Sequence, residues 1–207
     1  MRPKRNTPPR PRKRGLLIQC EGQKTEPNYL DEFCKACGVR HHMVVQVKRG
    51  KGQNAVVTVE AAIAGSSLRR QGERVYNDVW CVLDVEHAAH EAKLSEAVAL
   101  AREHNIRLFL SNPSFEVWLL AHFERTTRFF EDGGAAEAYL SHTHWRKHFG
   151  GDYDKGDPRL YARLADRVGA ALGNAQWALE TYHENVPCRD SNASTEVYQL
   201  VRELLPP

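Results

Sequence analysis

Short apolar runs alternate with longer segments of helical periodicity through the first half of the chain. Each apolar run has about the length of a buried strand, and no hairpin turn signal joins one run to the next. The segments between them repeat apolar residues every three or four positions, as amphipathic helices do. The predicted strands are Leu16–Cys20, His42–Val47, Val79–Leu83 and Ile106–Leu110, and the predicted helices between them are Pro27–Cys37, Ala55 to about Arg70, and Leu94–His104.

This order of elements predicts an α/β fold with a mostly parallel sheet and helices on both faces. After the fourth strand, Asn112 and Pro113 are the residue types favoured at a helix N-cap and first helical position. From Arg125 onward the alternation lapses, and two further helices are predicted over Arg159–Leu179 and Ser194–Leu205, the second capped by Ser194. The pattern therefore predicts an α/β core over residues 15–124 and a helical C-terminal extension, 125–207, packed on it.

Charge is distributed unevenly along the 207 residues. The formal net charge is +3, but residues 1–14 carry seven Lys or Arg and no acid, which leaves a net charge of −4 from Gly15 onward. A Pro- and Arg-rich arm of this kind cannot bury apolar surface, so we expect it to be flexible. Its positive charge favours a polyanion such as nucleic acid, although a purely solubilising tail is an equally good interpretation.

Targeting signals and cysteine usage indicate a soluble cytoplasmic protein. No apolar run approaches the roughly 18 residues of a membrane span, and no secretory signal follows the basic arm. The five cysteines are too few for a disulfide scaffold, so reduced thiols are expected. Cys34 and Cys37 have redox-motif spacing but no partner pair, which favours buried thiols over zinc. Three histidines, His142, His144 and His148, indicate a solvated or nucleic-acid-facing patch more strongly than a metal site.

Acidic residues follow three of the predicted strands. Glu21 comes directly after the first, Asp84 and Glu86 after the third, and Glu116 shortly after the fourth. The carboxyl ends of parallel strands share one edge of the sheet, where ligands usually bind. Carboxylates that face one crevice repel one another unless a cation joins them, and oxygen ligands suit Mg²⁺ or Mn²⁺. The plainer alternative makes Asp84 a helix-capping acid and Glu86 its solvated neighbour.

Basic residues accompany these acids. Lys24 lies at the start of the first predicted helix, where its ammonium and free backbone N–H groups could bind a phosphate, or where it could simply be exposed beside Glu26. A second set, which could extend the anionic surface, follows the second strand in "KRGKGQN": Lys48, Arg49 and Lys51, with Gly50 and Gly52 allowing close approach of a backbone. The Gly-Lys-Ser/Thr spacing of an ATP-binding loop is absent from the sequence.

Three long blocks carry a resemblance to a known family. The blocks "LLIQCEGQKTEPNYL", "VWCVLDVEH" and "SNPSFEVWLLAHFE" resemble, in this order, the RloB-like family, and the later "YDKGD" and "SNASTEVYQLV" resemble its C-terminal part. The resemblance extends from about Lys13 to Leu204. Members of the family are similar to genes found beside restriction-modification and abortive-infection systems, and their core resembles the Toprim domain of topoisomerases, primases and related nucleases.

The resemblance implies a role for each matching residue. Glu21 takes the place of the Toprim general acid or base, and Asp84 and Glu86 take the place of the pair that holds Mg²⁺. This sequence departs from the Toprim pattern at Glu86, where an aspartate is usual, and the longer side chain changes its reach. Glu116 resembles the additional acid of nuclease-type sites, by position only. Lys155 resembles a family position that could reach the active site.

The expected function is a Mg²⁺-dependent nuclease of an anti-phage system that works with a separately encoded ATPase. A non-catalytic nucleic-acid-binding or regulatory partner of such an ATPase is the alternative, and nucleotidyl transfer of the primase kind is a third. The sequence does not choose between DNA and RNA, and tRNA is one candidate substrate. One-metal and two-metal schemes, and a homo-oligomer, stay open.

Overall fold

A computed structural model describes residues 13–51, 54–70, 72–86 and 91–205. Most of the predicted basic arm, and Gly52, lie outside these residues. A five-stranded sheet with the strand order β2-β1-β5-β6-β7 forms the centre, and β3 and β4 pair separately as a short antiparallel ribbon. The strands are β1 (Arg14–Cys20), β2 (Met43–Lys48), β3 (Arg69–Arg70), β4 (Glu73–Arg74), β5 (Asp78–Asp84), β6 (Arg107–Asn112) and β7 (Ser194–Thr195).

Four of the five central strands are parallel. β1 pairs with β2 on one side and with β5 on the other, and β5 pairs with β6, so the carboxyl ends of all four lie at one edge. The short strand β7 pairs antiparallel with the end of β6. The predicted α/β class with a mostly parallel sheet is therefore confirmed.

Helices connect and cover the strands. The α-helices are α1 (Thr25–Ala36), α2 (Val39–His42), α3 (Ala55–Ser66), α4 (Glu91–Glu103), α5 (Glu116–Ala121), α6 (Gly133–Tyr139), α7 (Arg146–Phe149), α8 (Leu160–Leu164), α9 (Val168–Gln176) and α10 (Val197–Leu204). Single π-helical turns over Leu140–Trp145 and Trp177–Tyr182, and 3₁₀ turns over Ala165–Arg167 and Cys188–Asp190, complete the C-terminal part. None of the described helices is long and apolar enough to cross a membrane.

Both faces of the sheet are covered, as β1 illustrates. Successive side chains of a strand point to opposite faces, yet every residue from Gly15 to Cys20 is buried. Leu17 faces Gly65 of α3 so closely that a methyl group on that glycine would lie 2.4 Å from the leucine side chain. Its neighbours Leu16 and Ile18 point away from α3 and are nevertheless buried. Burial on both sides is typical of parallel strands with helices on each face.

The predicted start of the helix after the fourth strand, with Asn112 as its N-cap, is wrong. Asn112 is the last residue of β6, and α5 begins only at Glu116. The side-chain amide of Asn112 donates hydrogen bonds to the carbonyl oxygens of Cys188 and Arg189, each at 3.0 Å, so it binds the C-terminal chain and does not cap a helix. Asparagine is a residue type that often caps helices, but here its side chain is hydrogen-bonded to a segment far away in sequence.

Two further predictions in the C-terminal part are also wrong. Ser194 is not a helix cap, because Ser194 and Thr195 form β7 and α10 begins at Val197. The single helix expected over Arg159–Leu179 is divided into α8, a 3₁₀ turn, α9 and a π-helical turn. The β3–β4 ribbon was also not expected, since two-residue strands are too short to have a hydrophobic period.

The C-terminal residues contribute to the same core as the sheet. Tyr161 of α8 packs edge-on against Tyr29 and Phe33 of α1, with ring centroids 5.4 and 5.5 Å apart. The hydroxyl groups of Ser111 in β6 and Thr195 in β7 form a buried hydrogen bond of 2.7 Å. All five cysteines are free, and Cys37, the least buried, contacts the hydroxyl of Tyr161 at 3.1 Å.

Candidate active site

The acids that follow the strands meet at the carboxyl edge of the sheet. Glu21 follows β1, and its backbone N–H donates to the carbonyl of Val82 in the adjacent β5. Its side chain crosses the same gap, where Oε2 accepts a hydrogen bond of 3.2 Å from the backbone N–H of Asp84. Asp84 ends β5 and Glu116 opens α5, which follows β6. Strand pairing thus places Glu21 beside Asp84, and Glu116 lines a cleft together with Asp84.

Glu26, which the sequence did not single out as a site residue, belongs to the same group. It is buried, and its Oε1 accepts a hydrogen bond of 2.8 Å from the backbone N–H of Gly22. A methyl group on Gly22 would lie within 2.4 Å of both carboxylate oxygens of Glu26. The available signal was the glycine in "EGQKTE", which lets the carboxylate fold back over the turn after β1.

Burial and the repulsion of neighbouring carboxylates raise the pKa of Glu21, Asp84 and Glu26. Burial is the largest cause for Glu21, whose pKa rises to about 7, with Glu86 and Glu26 adding to the shift and the N–H of Asp84 opposing it. Burial also raises the pKa of Asp84 well above its usual range, helped by the surrounding glutamates. The pKa of Glu26 is raised by burial and by Glu116. The site therefore disfavours its own negative charge and would be stabilised by a cation.

Asp84 provides the test of whether a divalent ion fits. Its Oδ1 is buried and has no hydrogen-bond partner within the described chain. A buried carboxylate oxygen without a partner is costly unless it is protonated or bound to a cation. Carboxylate oxygens are also the donors that Mg²⁺ and Mn²⁺ prefer. In donor chemistry the site fits such an ion, although no three His, Cys, Asp or Glu side chains of the described residues already converge as a ligand set.

Asp84 lies between two clefts. The smaller, of about 30 Å³, is lined by Glu21, Asp84, Glu86 and Lys93, together with Asn54 and the start of α3. The larger cleft, of about 310 Å³, is formed by the turn after β1, the end of β5, the start of α5 and Lys155. Its lining includes Lys24, Glu26, Asp84, Phe115, Glu116 and Lys155. The first has room for an ion or a water molecule, and the second for a phosphate and part of a nucleotide.

Glu116 is held by residues from two segments, the turn before α5 and "YDKGD". Ser114 donates a 2.7 Å hydrogen bond to its Oε2, and the hydroxyl of Tyr153 lies 3.4 Å from its Oε1. The ammonium of Lys155 is 3.5 Å from Glu116 Oε1 and 2.9 Å from Glu137 Oε2. Lys155 therefore reaches the acidic group, and "YDKGD", far from the strands in sequence, supplies a wall of the larger cleft.

Glu86 adopts a backbone conformation that is unusual for a glutamate. Its φ is 51°, in the left-handed region, and its N–H donates a 2.8 Å hydrogen bond to the carbonyl of Pro113. The side chain is exposed at the rim of the smaller cleft. Backbone strain of this kind tends to occur at functional sites.

The basic residues after β2 support the first turn of the site. Arg49 donates hydrogen bonds to the carbonyl of Gln23 at 2.5 Å and to the side chain of Asn28 at 2.7 Å, and the carbonyl of Lys51 accepts one from Gln23. Gly50 lies so close to Glu21 that a methyl group there would be 1.7 Å from the Glu21 carbonyl oxygen.

The two remaining predicted cations, Lys24 and Lys48, lie in different parts of the structure. Lys24 is exposed on the wall of the larger cleft. The ammonium of Lys48 instead lies beside α3, 3.7 Å from the position of a methyl group on Gly65. The described structure thus places Lys24 at the larger cleft and turns Lys48 towards α3.

The three clustered histidines do not form a ligand set. His144 and His148 stack on the ring of Phe123, with centroids 5.0 and 5.2 Å from it, and His144 Nε2 is 3.3 Å from Glu124 Oε2. His144 and His148 thus pack against Phe123, whereas His142 is exposed.

Comparison with known proteins gives one match. The model of the RloB-like protein family matches residues 16–204, which is most of the chain and includes every acid of the site. Neither the curated proteins nor the solved structures contain a significant match. The three sequence blocks that carry the resemblance are the segments that form the turn after β1, the end of β5 and the start of α5. The chain belongs to the RloB-like protein family.

Proposed function

We propose that this protein is a metal-dependent nuclease that hydrolyses phosphodiester bonds of DNA or RNA in a prokaryotic anti-phage system. The observation that carries the proposal is the buried, unpartnered Oδ1 of Asp84 at a sheet edge shared with Glu21, Glu26 and Glu116. Carboxyl groups with raised pKa values in a cleft are a common feature of active sites. The Toprim-like interpretation of the family adds the expected reaction type.

Glu21, Asp84 and Glu86 are the residues that would hold Mg²⁺ or Mn²⁺, with Glu116 as an additional acid. Such an ion, when bound, supplies positive charge that stabilises a phosphoryl oxygen and a departing alkoxide. The larger cleft binds the phosphate, and Lys24 and Lys155 on its walls offset the phosphate charge. Arg49 and Lys51 hold the turn that carries Glu21 in place.

Glu21 is the residue that moves protons in this mechanism. Burial raises its pKa to about 7, so both protonation states are populated at neutral pH in the absence of a bound ion, which is the condition under which a general acid or base works best. An ion bound to Glu21 itself would lower this pKa. As a base, Glu21 takes a proton from the water that attacks phosphorus. As an acid, it returns a proton to the oxygen that leaves when the P–O bond breaks.

The alternative function is a non-catalytic nucleic-acid-binding or regulatory partner of an ATPase. Lys155 favours it, because its ammonium already offsets the charge of Glu116 and Glu137 without any metal ion. Under either function we propose a separately encoded ATPase as partner, because the family's neighbourhoods suggest one and the sequence lacks an ATP-binding loop of its own.

The test uses labelled supercoiled DNA, single-stranded DNA and total tRNA, each with Mg²⁺, Mn²⁺ or EDTA. We expect metal-dependent cleavage by the wild type and its loss in Glu21→Gln and in Asp84→Asn, with Glu60→Gln as a control, since Glu60 is an exposed acid on α3. Products longer than the substrate in the presence of nucleoside triphosphates would indicate nucleotidyl transfer. No cleavage by the wild type, even with the neighbouring ATPase added, would refute the nuclease and favour the binding partner.

Thermal unfolding tests the metal site without activity. In EDTA, Asp84→Asn should become more stable than the wild type as pH rises, by about 1–3 kcal/mol, because the amide cannot ionise at this buried position, where Oδ1 has no hydrogen-bond partner. The direction of this stability change follows from the raised pKa of Asp84. The protonated carboxyl group stabilises the folded wild type at low pH, and this contribution to the free energy of unfolding is lost as pH rises. Mg²⁺ should then raise the melting temperature of the wild type and of Glu60→Gln, but not of Asp84→Asn.

A further inference from the structure

A group of aromatic and arginine side chains is carried by two segments, the chain between α5 and α6 and the π-helical turn that follows α9. Phe129 is 73% exposed and Tyr182 is 51% exposed, both high values for large apolar side chains. The other members are Arg125, Arg128 and Trp177. We call these five residues the aromatic patch.

Ring and guanidinium contacts connect three members of the patch, Arg125, Trp177 and Tyr182. The guanidinium of Arg125 lies 5.3 Å from the centre of the Trp177 ring, and the ring of Tyr182 lies 5.7 Å from that of Trp177. Arg128 is similarly placed 4.5 Å above the ring of Tyr139. These contacts hold flat groups side by side on the surface.

The two segments that form the patch are also joined by the side chain of Asn192, which binds the backbone of Phe130. The side-chain amide of Asn192 donates to the carbonyl of Phe130 at 2.7 Å, and its oxygen accepts from the Phe130 N–H at 3.0 Å. This pair fixes the segment that carries Arg128 and Phe129 against the loop that follows Tyr182. The patch is therefore a built surface with members from both segments.

The charges of the two arginines are not neutralised within the described chain. Arg14, Arg107 and Arg163 each form an ion pair with a carboxylate, whereas Arg125 and Arg128 form none among the described residues. The neighbouring Glu124 is turned to other partners, since its Oε1 accepts from Tyr139 and its Oε2 faces His144. The patch therefore combines exposed ring faces with available positive charge.

The segments that carry the patch are connected to the end of β6 and to the turn that follows it. Asn112, at the end of β6, binds the carbonyls of Cys188 and Arg189 in the segment between Tyr182 and Asn192. Gly133, which follows the segment of Arg128 and Phe129, packs against Ser114, whose hydroxyl binds Glu116.

We infer that the aromatic patch binds an unpaired strand of nucleic acid and so directs the site towards single-stranded substrates. This inference rests on the proposed nuclease function. Exposed aromatic rings stack on bases irrespective of sequence, while arginines contact the phosphates between them. In a duplex the base faces are stacked on one another and are not accessible to Phe129 and Tyr182, so the patch discriminates by strandedness.

The experiment measures binding in EDTA, where cleavage does not interfere. Fluorescence anisotropy of labelled single-stranded DNA and RNA 20-mers, and of blunt duplexes of the same sequences, is recorded with the full chain. Phe129→Ala and Tyr182→Ala should each weaken single-strand binding roughly 5- to 100-fold, as expected for the loss of one stacked base. Leu68→Ala, which removes an exposed apolar side chain elsewhere, should leave binding unchanged. Duplex binding should change little in any variant.

Salt dependence tests the arginines separately. Arg128→Ala should reduce the slope of log Kd against log salt concentration by about 0.7, the value for one phosphate contact on a single strand. Arg74→Ala, an exposed arginine on β4, is the matched control. The basic N-terminal arm is present in every variant, so any difference between variants is due to the substituted residue.

Two results would overturn the inference: equal affinity of the wild type for single strands and duplexes, or unchanged single-strand binding by both aromatic variants while their melting temperatures match the wild type. The outcome is separable from that of the proposed function. Cleavage that is lost in Glu21→Gln but insensitive to Phe129→Ala would retain the nuclease and reject the patch. Single-strand binding that depends on the patch, without any metal-dependent cleavage, would retain the patch and reject the nuclease.

Discussion

Gly50 is the residue whose identity the site geometry most tightly constrains. A methyl group there would lie 1.7 Å from the carbonyl oxygen of Glu21, so the backbone of one of the two turns would have to move. Gly50 also donates a hydrogen bond of 2.9 Å to the carbonyl of Gly22, and this bond would be lost with the movement. The turn after β2 thus fixes the position of Glu21.

We therefore expect Gly50→Ala to destabilise the fold by about 1–3 kcal/mol and to abolish cleavage. Urea unfolding and the nuclease assay check the two effects. Gly169 in α9 is the control, because a methyl group there meets nothing within 4 Å and alanine favours a helix. Equal stability of Gly50→Ala and the wild type would show that the two turns can separate without cost.

His122 determines part of the response to acid. The ring is buried between Tyr29, whose hydroxyl is 3.0 Å from Nε2, and the carbonyl of Trp118, which is 3.0 Å from Nδ1. Burial lowers its pKa to about 4. A histidine with a lowered pKa contributes stability that is complete above its unfolded pKa near 6.5 and is lost as pH falls through 4.

Between pH 7 and pH 4 the wild type should lose roughly 3 kcal/mol of unfolding free energy through His122. Urea titrations at the two pH values should give a correspondingly smaller loss for His122→Gln, whereas the exposed His104→Gln should behave like the wild type. The carboxyl groups of the site titrate in all three proteins, so their contribution cancels in the comparison. The same pH dependence in His122→Gln as in the wild type would contradict this account.

At the scale of elements, β7 depends on one buried pair of hydroxyl groups. Ser111 and Thr195 are almost fully buried and bind each other at 2.7 Å. Thr195→Val should cost about 1–2 kcal/mol, because it leaves the Ser111 hydroxyl buried without a partner. Replacing Ser111 by alanine in the same chain should recover part of this loss. A double-mutant cycle from urea unfolding measures the coupling, and additive effects would mean that the pair is not important.

The strands β1, β2, β5 and β6 could be predicted from the sequence because each contains a short apolar run, and the helices α1, α3 and α4 because apolar residues recur in them at helical spacing. β7 could not be predicted, since a strand of two residues has no period and its partner lies far away in sequence. Asn112 has the residue type of a helix cap but binds carbonyl groups that only the folded chain brings near. At β7 and at Asn112, contacts with residues distant in sequence determine the local structure, and the preferences of the local residue types do not.

The candidate site was predictable to the extent that strand ends could be located. Glu21, Asp84 and Glu116 were found because parallel strands bring their carboxyl ends together. Glu26 was missed because its burial depends on the turn at Gly22, which has no hydrophobic period. The contacts of Lys155 with Glu116 and Glu137 join distant segments, and no spacing rule predicts them.

For the whole molecule, the core and the C-terminal extension share one interior. Tyr161 covers Tyr29 and Phe33, and β7 completes the sheet beside β6. A chain of residues 1–124 should therefore show no cooperative thermal transition by circular dichroism, because it leaves this apolar surface exposed. Adding residues 125–207 as a separate chain should restore a transition. A cooperative transition in the shorter chain alone would mean that the core is an independent domain.

The larger cleft has one wall from the beginning of the chain and another from "YDKGD", which is synthesised much later. A polypeptide still attached to the ribosome, with Lys155 and β7 not yet released, lacks that second wall and the last strand of the sheet. If the protein cuts nucleic acid as proposed, the cleft that would bind its substrate is therefore complete only after Lys155 has left the ribosome.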